Sequence, residues 1–403
     1  MNQTLAATML SLLLTTSAHA ACPIQNTVPL KSLTAAFDAW KAVTATMAEC
    51  GNIQSELDQD FRLKQPAAFA ANPALYQLGG VANGTLVPLL NAGTLRPLDA
   101  LVAKYGQHLS PNQLIRIDGK IMAVAMDVNA QHLMYRTDIL HDLAIPVPTT
   151  WDEMLSAAEK IKASGKMATP IGATIKPGFD LGLDFINMFL GYGGSFAKPD
   201  NTPAFNSDAG LKTLAMLKKL TTYMDPEYLV SESTFVQKQF QQGKIALSNL
   251  WATRAAALDN PAESTVVGKI GLAAAPAAVA GGKPATTLWW DGIVIPKNIS
   301  DEQADAAFRV AMEGLSERTV KAAPGAAVWL IKGYTPGKYA TGAIASANGA
   351  APPYPSSVVV GLVGSVAGDN VADFLTGKKT AEATLAAMET AYLTKAKDQG
   401  LVK

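Results

Sequence analysis

Scarcity defines this chain first. Of 403 residues only two are cysteine and four are histidine, which excludes a thiolate metal cage and a disulfide-dense scaffold. The histidines beyond residue 20, His108, His132 and His141, lack the helical i, i+4 pairing of a zinc site, and no Ser/His nucleophile pattern accompanies them. Charged residues make up only 16%, with 33 basic side chains against 33 acidic ones. Without a net field or a basic stripe, nucleic acid and anionic membrane surfaces are poor partners. No segment after the N-terminal stretch has the roughly 18 uninterrupted apolar residues of a membrane helix. A phosphate loop is missing as well: before Gly377, Lys378 and Lys379, Ala372 occupies the place of the first glycine, and Lys379 replaces Ser/Thr. Gly191, Gly193 and Gly194 follow a helix and read as a turn, not a dinucleotide fingerprint.

What is present is a globular composition, 49% hydrophobic, in a chain long enough for two domains with separate cores. Leu5 to Leu14 is an apolar run too short to span a bilayer. It is followed by Ala18, His19 and Ala20, an Ala-x-Ala cleavage signature. Residues 1–20 are therefore expected to be a signal peptide removed before Ala21, although no Lys or Arg precedes the apolar run. Cys22 invites a lipoprotein reading, but His19 stands where a lipobox carries Leu. Export would place Cys22 and Cys50 in an oxidising compartment, where they are expected to form a disulfide tying the mature N-terminus to the end of a first helix, Ala35 to Glu49.

Periodicity alternates between strand and helix. Thr27 to Leu33, Ile53 to Phe61 and Leu75 to Gly79 read as strands, and Thr85 to Asn91 as a helix. A second round runs from His132 through a helix at Thr150, helices at Leu183 to Leu190 and Ala209 to Met224, and a strand Lys244 to Asn249. Leu288 to Ile295 returns to the first unit. Val371 to Leu375 and Ala381 to Lys395 close the chain as helices. Such alternation predicts an α/β fold with parallel sheets covered by helices on both faces. No internal repeat is evident, and Ala273 to Gly282 reads as an Ala/Gly-rich loop.

The most specific stretch is Asp118 to Lys160: Asp118-Gly119-Lys120, an apolar strand to Ala125, a polar interruption at Asp127 and Asn129, then Leu133 to Ile139, a turn at Ile145 to Pro148, and a helix opened by Thr150 and Glu153 in capping-box spacing. Together with Leu90 to Asp99, with Phe240, Gly243, Lys244, Ala246 and Trp251, with Trp290 to Pro296, and with Leu375 to Ala383, it resembles the extracellular solute-binding proteins of bacterial ABC importers, in particular the carbohydrate-binding, maltose-binding-protein-like branch. The resemblance implies a two-lobed periplasmic-binding-protein fold of type II kind. Lobe 1 would be 21–129 plus 275–340 and lobe 2 would be 130–274 plus 341–403, with crossovers near Asn129 to Gln131, Pro276 to Thr286 and Thr341 to Pro352. A ligand would sit between the lobes, at the carboxyl ends of the strands, and be enclosed by a hinge motion. It also implies a periplasmic monomer that takes a small carbohydrate and hands it to permease subunits in the inner membrane. No cofactor, metal or enzymatic activity is implied. A binding protein that reports to a chemoreceptor would need the same cleft, and a periplasmic glycosidase would need two flanking carboxylates, for which Asp127 and Asp291 are the available pair.

Sugar rings offer apolar faces and a rim of hydroxyls, so indoles and Asp, Asn or Arg side chains are the groups to seek. Trp251 falls where the family places a stacking aromatic, and Arg254 lies one turn beyond. Trp289, Trp290, Asp291 and Gly292 lie on the returning strand, where alternation lets only one of the two indoles face the cleft, with Trp290 or Asp291 the expected contact and its neighbour core. Asp127 and Asn129 occupy the hinge strand. Asn83 opens a helix after Gly79 and Gly80, Ser32 ends the first strand, and Phe179, Asp180 and Asp184 lie near the family's other ligand loop. Trp40 and Trp151 read as core, and Trp329 is open. Ser356 to Val360 lacks the aromatic wall of maltose-binding proteins, which points to a monosaccharide, disaccharide or polyol.

Overall fold

The structure is a computed structural model and describes residues 22–355 and 357–402; the expected signal peptide lies outside the described residues. Its strands are, in chain order, β1 (Asn26–Thr34), β2 (Gly51–Leu57), β3 (Leu78–Ala82), β4 (Leu114–Ile117), β5 (Lys120–Ala125), β6 (Asp127–Val128), β7 (Gln131–Arg136), β8 (Ile171–Gly172), β9 (Leu247–Trp251), β10 (Ile270–Ala273), β11 (Asp291–Val294) and β12 (Val328–Trp329). They form two lobes, built on a six-stranded sheet ordered β2-β1-β3-β11-β5-β4 and a four-stranded sheet ordered β10-β7-β9-β8, with β6 and β12 paired between them. The sheets are mixed, not purely parallel. β1 runs parallel to β2 and β3, whereas β11 is antiparallel to both β3 and β5. The physical reason is the path: β11 arrives from the other lobe and starts at the edge where β3 and β5 end, so Asp291 pairs with Ala82 and Gly292 with Ala125.

Each lobe has its own apolar core. One is built on Leu30, Trp40, Val43, Leu78, Val124, Ile293, Phe308 and Trp329, the other on Leu133, Trp151, Phe185, Phe189, Leu217, Val363 and Tyr392. Trp40, Trp151 and Trp329 thus all serve packing, and the Trp329 indole N–H donates to the Ala323 carbonyl. Cys22 and Cys50 are bonded, joining the chain before β1 to the end of the helix Asp38–Ala48. The cap of the helix Trp151–Ala163 is shifted from the simple box: Thr150 Oγ1 accepts from the Glu153 amide, while the Glu153 carboxylate accepts from the Thr149 amide and hydroxyl.

Three expectations change. The strand read through Phe61 stops at Leu57, because Asp58 Oδ1 accepts the Asp60 amide in a turn and Phe61 opens a helix, Phe61–Ala70. The third passage between lobes falls before Thr341, since the helix Thr341–Asn348 already packs on β7 and β10. Finally, Val371 to Leu375 is the end of an 18-residue helix, Val358–Leu375. This helix is long and apolar enough to cross a membrane by length and composition alone, but it buries Val360, Val363, Val366 and Val371 in the second core.

Val358–Leu375 meets the helix Phe179–Gly191 backbone to backbone. The Gly178 amide donates to the Gly368 carbonyl, and a Cβ placed on Gly182 would sit 2.2 Å from the Gly364 carbonyl oxygen. Gly182 and Gly368 permit this approach, since a Cβ on either would meet a backbone carbonyl oxygen, of Gly364 and Gly178 respectively, at 2.2 and 2.1 Å and force the segments apart. Gly182→Ala is therefore expected to destabilise the protein by about 1–3 kcal/mol. Gly361→Ala, on the same helix as Gly364 but facing open space, should be neutral or stabilising by up to about 1 kcal/mol. Chemical denaturation of the two variants against the parent checks the contrast.

Candidate functional site

The connections between the lobes come together at one place. Asn129 and Trp289 exchange both backbone hydrogen bonds, at 2.8 and 2.7 Å, and Leu288 is bonded in turn to Pro352 and Tyr354. Beside this junction lies a cavity of about 310 Å³, at the lower end of the ~300–1,000 Å³ typical of small-molecule sites. One lobe contributes Phe37, Phe61, Arg62 and Asp291, the other Lys176, Phe179, Asp180, Glu232, Trp251 and Arg254, and the junction itself Asn129 and Trp289. A wider groove of about 930 Å³ lies beyond Arg62 and Phe179, lined largely by apolar side chains such as Leu63, Val87, Pro88 and Leu362. Charged and amide groups converge in the smaller cavity, which makes it the candidate site.

The lobes touch around it. The Arg62 guanidinium lies 4.5 Å above the Phe179 ring, and Gln59 Nε2 donates to Thr234 Oγ1 at 3.3 Å. Trp289 is the aromatic centre. Trp251 and Phe179 meet it edge-on at 5.6 and 6.0 Å, and Tyr354 lies tilted at 4.1 Å. A directional hydrogen-bond chain fixes its plane: Trp289 Nε1–H donates to Thr287 Oγ1, Thr287 to Asn187 Oδ1, Asn187 Nδ2 to Gln131 Oε1, and Gln131 Nε2 to Asp184 Oδ1. Every donor points toward the same carboxyl group, an arrangement in which each bond polarises the next.

Asp127 and Asp291 are buried, and Asp180 and Asp184 are partly so. Burial raises Asp291 to about 7, opposed by a hydrogen bond from the Asn129 side chain. Asp127 lies fully enclosed behind it, its Oδ1 accepting the Asp291 amide and its Oδ2 without a partner. Burial, then the Asp291 charge, pushes Asp127 well above the usual carboxylate range. Asp180 is raised to about 6 and Asp184 to about 8, both mainly by burial. The same cause depresses Arg254.

Of the residues expected from the sequence, Trp251, Trp289, Asn129, Asp180, Arg254 and Asp291 line the cavity. Asp127 and Asp184 stand behind its wall. Four others are elsewhere. Trp290, next to Trp289 in an extended chain, points to the opposite face and packs with Leu86, Leu89 and Met122. Ser32 donates to Ser55 Oγ across the β1–β2 pair. Gly292 lies in the sheet, where an added Cβ would approach the Val124 carbonyl oxygen at 2.4 Å. Asn83 neither caps its helix nor reaches the cavity: its Oδ1 accepts the Trp290 amide and its Nδ2 donates to the Leu288 carbonyl, pinning the returning strand. Phe37, Phe61, Arg62, Lys176 and Glu232 line the cavity without having been singled out. The turn at Asp58 to Asp60 is the one local signal that could have placed Phe61 and Arg62 at a helix start.

Two α/β lobes meeting over a polar and aromatic cavity define the class as a cleft-type binding protein. The family model of the bacterial extracellular solute-binding proteins matches residues 52–313, and the chain belongs to that family. A probable ABC transporter-binding protein of Deinococcus radiodurans is 27% identical over 264 residues, 62% of this chain and 61% of that relative; the match thus spans about three fifths of the relative's length. Among solved structures, a solute-binding protein of Agrobacterium vitis with bound D-mannitol has a TM-score of 0.79 at 20% identity, covering 92% of this chain and 99% of the other. One of Agrobacterium radiobacter in complex with ribitol has a TM-score of 0.78 at 22% identity, covering 93% and 99%. At these identities the likeness is one of fold.

The buried groups set a pH dependence. Asp184, raised from its ordinary 3.8 to about 8, contributes stability that is full below the ordinary value and is lost as pH rises through about 8. His132, buried and lowered from 6.5 to about 4, contributes stability present above its ordinary value and lost as pH falls toward about 4. The two oppose each other in acid, and above the ordinary histidine value only the carboxyl slope remains. The melting temperature of the ligand-free protein is therefore expected to fall between the ordinary histidine value and the raised value of Asp184, from about 6.5 to about 8. Asp184→Asn should shrink that fall, as thermal denaturation across a pH series would reveal.

Proposed function

We propose that this chain is the periplasmic substrate-binding component of an ABC importer, that it captures a monosaccharide, disaccharide or polyol by closure of the two lobes, and that it delivers the ligand to permease subunits in the inner membrane. The observation that carries the reading is the cavity of about 310 Å³ at the lobe junction, where the Trp251 and Trp289 indoles stand beside carboxyl, amide and guanidinium groups. Apolar C–H faces of a small polyol would rest on Trp251 and Trp289. Asp180, Asp291 and Asn129 would bond its hydroxyls. The family assignment supports ligand capture, and the two structurally similar proteins hold ribitol and D-mannitol.

In this reading nothing is chemically altered. Glycosidic cleavage would call for two carboxyl groups reaching the same bond, and the pair expected from the sequence is not assembled, since Asp127 is sealed behind the wall with no exposed surface. Closure draws its free energy from contacts that a ligand makes with both lobes at once.

A thermal-shift screen of sugars and polyols tests the proposal, since a ligand that binds only the folded state raises the melting temperature once its concentration exceeds the dissociation constant. At least one small carbohydrate is expected to raise it. Trp251→Ala, which removes a partly exposed side chain, should weaken that ligand by about 10- to 100-fold with the fold retained. A screen in which no sugar or polyol shifts the transition would remove the carbohydrate reading.

A further inference from the structure

Among the described residues two arginines are more than nine-tenths buried, and they differ in one respect. Arg136 is held by the Asp138 carboxylate through Nε and Nη2, at 2.7 and 2.6 Å. Arg254, 8% exposed, has one hydrogen bond, from Nη1 to the neutral Gln237 Oε1 at 3.2 Å, and no carboxylate within salt-bridge distance. A guanidinium carries five N–H donors in a rigid fork, and most of those on Arg254 meet no acceptor of the protein. Glu232, Asp38 and Asp180 act on this cation only through space, so the guanidinium keeps donors free to receive an anion.

The surroundings repeat the pattern. Arg62 lies over the Phe179 ring and Lys176 stands at the rim, and neither forms an ion pair among the described residues. The nearest opposite charges, Glu232, Asp38 and Asp180, are committed or shared: Asp38 pairs with Lys41 at 2.9 Å. Glu232 uses its two oxygens to cap a helix, accepting the Thr234 and Phe235 amides at 2.7 and 2.8 Å. Asp180 is felt by Arg62, Lys176 and Arg254 together without contacting any of them closely. Asp291 faces Asn129 and Asp127, and Asp60 lies exposed at the edge.

We infer that the ligand carries a carboxylate: the site takes a uronic or aldonic acid, its carboxylate received by the Arg254 fork and its hydroxylated body resting on Trp251 and Trp289. This rests on the carbohydrate reading and narrows it. A planar carboxylate matches two parallel N–H donors of one guanidinium. A phosphate, with more oxygens to satisfy, is usually met by several backbone amides at a helix start; helices do begin at the cavity, at Phe61, Phe179 and Ser233, but at the last of these the Glu232 carboxylate already accepts the Thr234 and Phe235 amides, and the planar fork of Arg254 favours the carboxylate.

Calorimetric titration of the full exported protein with matched pairs tests this: glucose and glucuronate, galactose and galacturonate, sorbitol and gluconate, with glucose 6-phosphate as a further arm. At least one acid should bind more than about tenfold tighter than its neutral counterpart. That advantage should shrink as salt is raised while neutral binding stays level, and Arg254→Gln should erase it. If that variant fails to fold, the salt series on the unmodified protein decides between the outcomes. Neutral sugars or polyols binding as tightly as the acids would overturn the inference and leave the carbohydrate reading standing. A phosphate ester binding tighter than every carboxylate would overturn it too. If neither neutral nor acidic sugars bind, both readings fall together.

Discussion

Two backbone hydrogen bonds, exchanged between Asn129 and Trp289, are the constraint on which this structure depends. They fasten the outgoing connection to the returning one at the level of the cavity, and Leu288 extends the ribbon to Pro352 and Tyr354. Any rotation of one lobe against the other must pivot about this ribbon or break it, and breaking buried main-chain bonds costs more than bending the chain on either side. Trp289 therefore belongs to neither lobe. Its indole stays at the pivot while Phe179 and Trp251 approach from one side and Phe37, Phe61 and Arg62 from the other.

The same junction explains why acids can be buried there. Asp127 and Asp291 face one another with no cation in salt-bridge reach among the described residues, so burial pushes both above the usual carboxylate range and the Asp291 charge adds to the shift at Asp127. Their shared position arises from the hinge itself: β6 pairs with β12 through Asp127 and Trp329, while the Asp291 amide reaches back to Asp127 Oδ1. Asp184 does a comparable task in the second lobe, closing a line of donors that begins at the Trp289 indole.

The fold class and the hinge were legible because they are written locally. The polar break at Asp127 and Asn129 inside an apolar strand, the strand ending at Trp251 and the return through Asp291 are short patterns that need no partner to be recognised. Orientation was not legible. Whether Trp289 or Trp290 faces the cavity depends on which backbone groups pair with Asn129, far away in sequence, and a shift of one residue would exchange their roles. Ser32 and Asn83 have cap-like positions whose side chains were claimed by distant partners, Ser55 and the Leu288 to Trp290 segment. Phe61 and Arg62 were hidden for another reason. Pro66 argues against a helix, and the preceding β2 runs without an obvious stop until the Asp58 turn. The mixed direction of the sheets likewise follows from long-range path, not local propensity.

The glycine contact between Phe179–Gly191 and Val358–Leu375 has a bearing on selectivity. With backbones in direct touch at Gly182 and Gly364, and Gly178 bonded to Gly368, no compressible side-chain layer exists between these helices. Phe179 and Asp180 ride on the first of them and cannot yield independently of the whole second lobe. A guest slightly too large would have to be accommodated by the wall opposite, where Arg62 and Gln59 sit at the ends of longer, bendable side chains. Discrimination by size would then be unyielding on one side of the cleft and forgiving on the other.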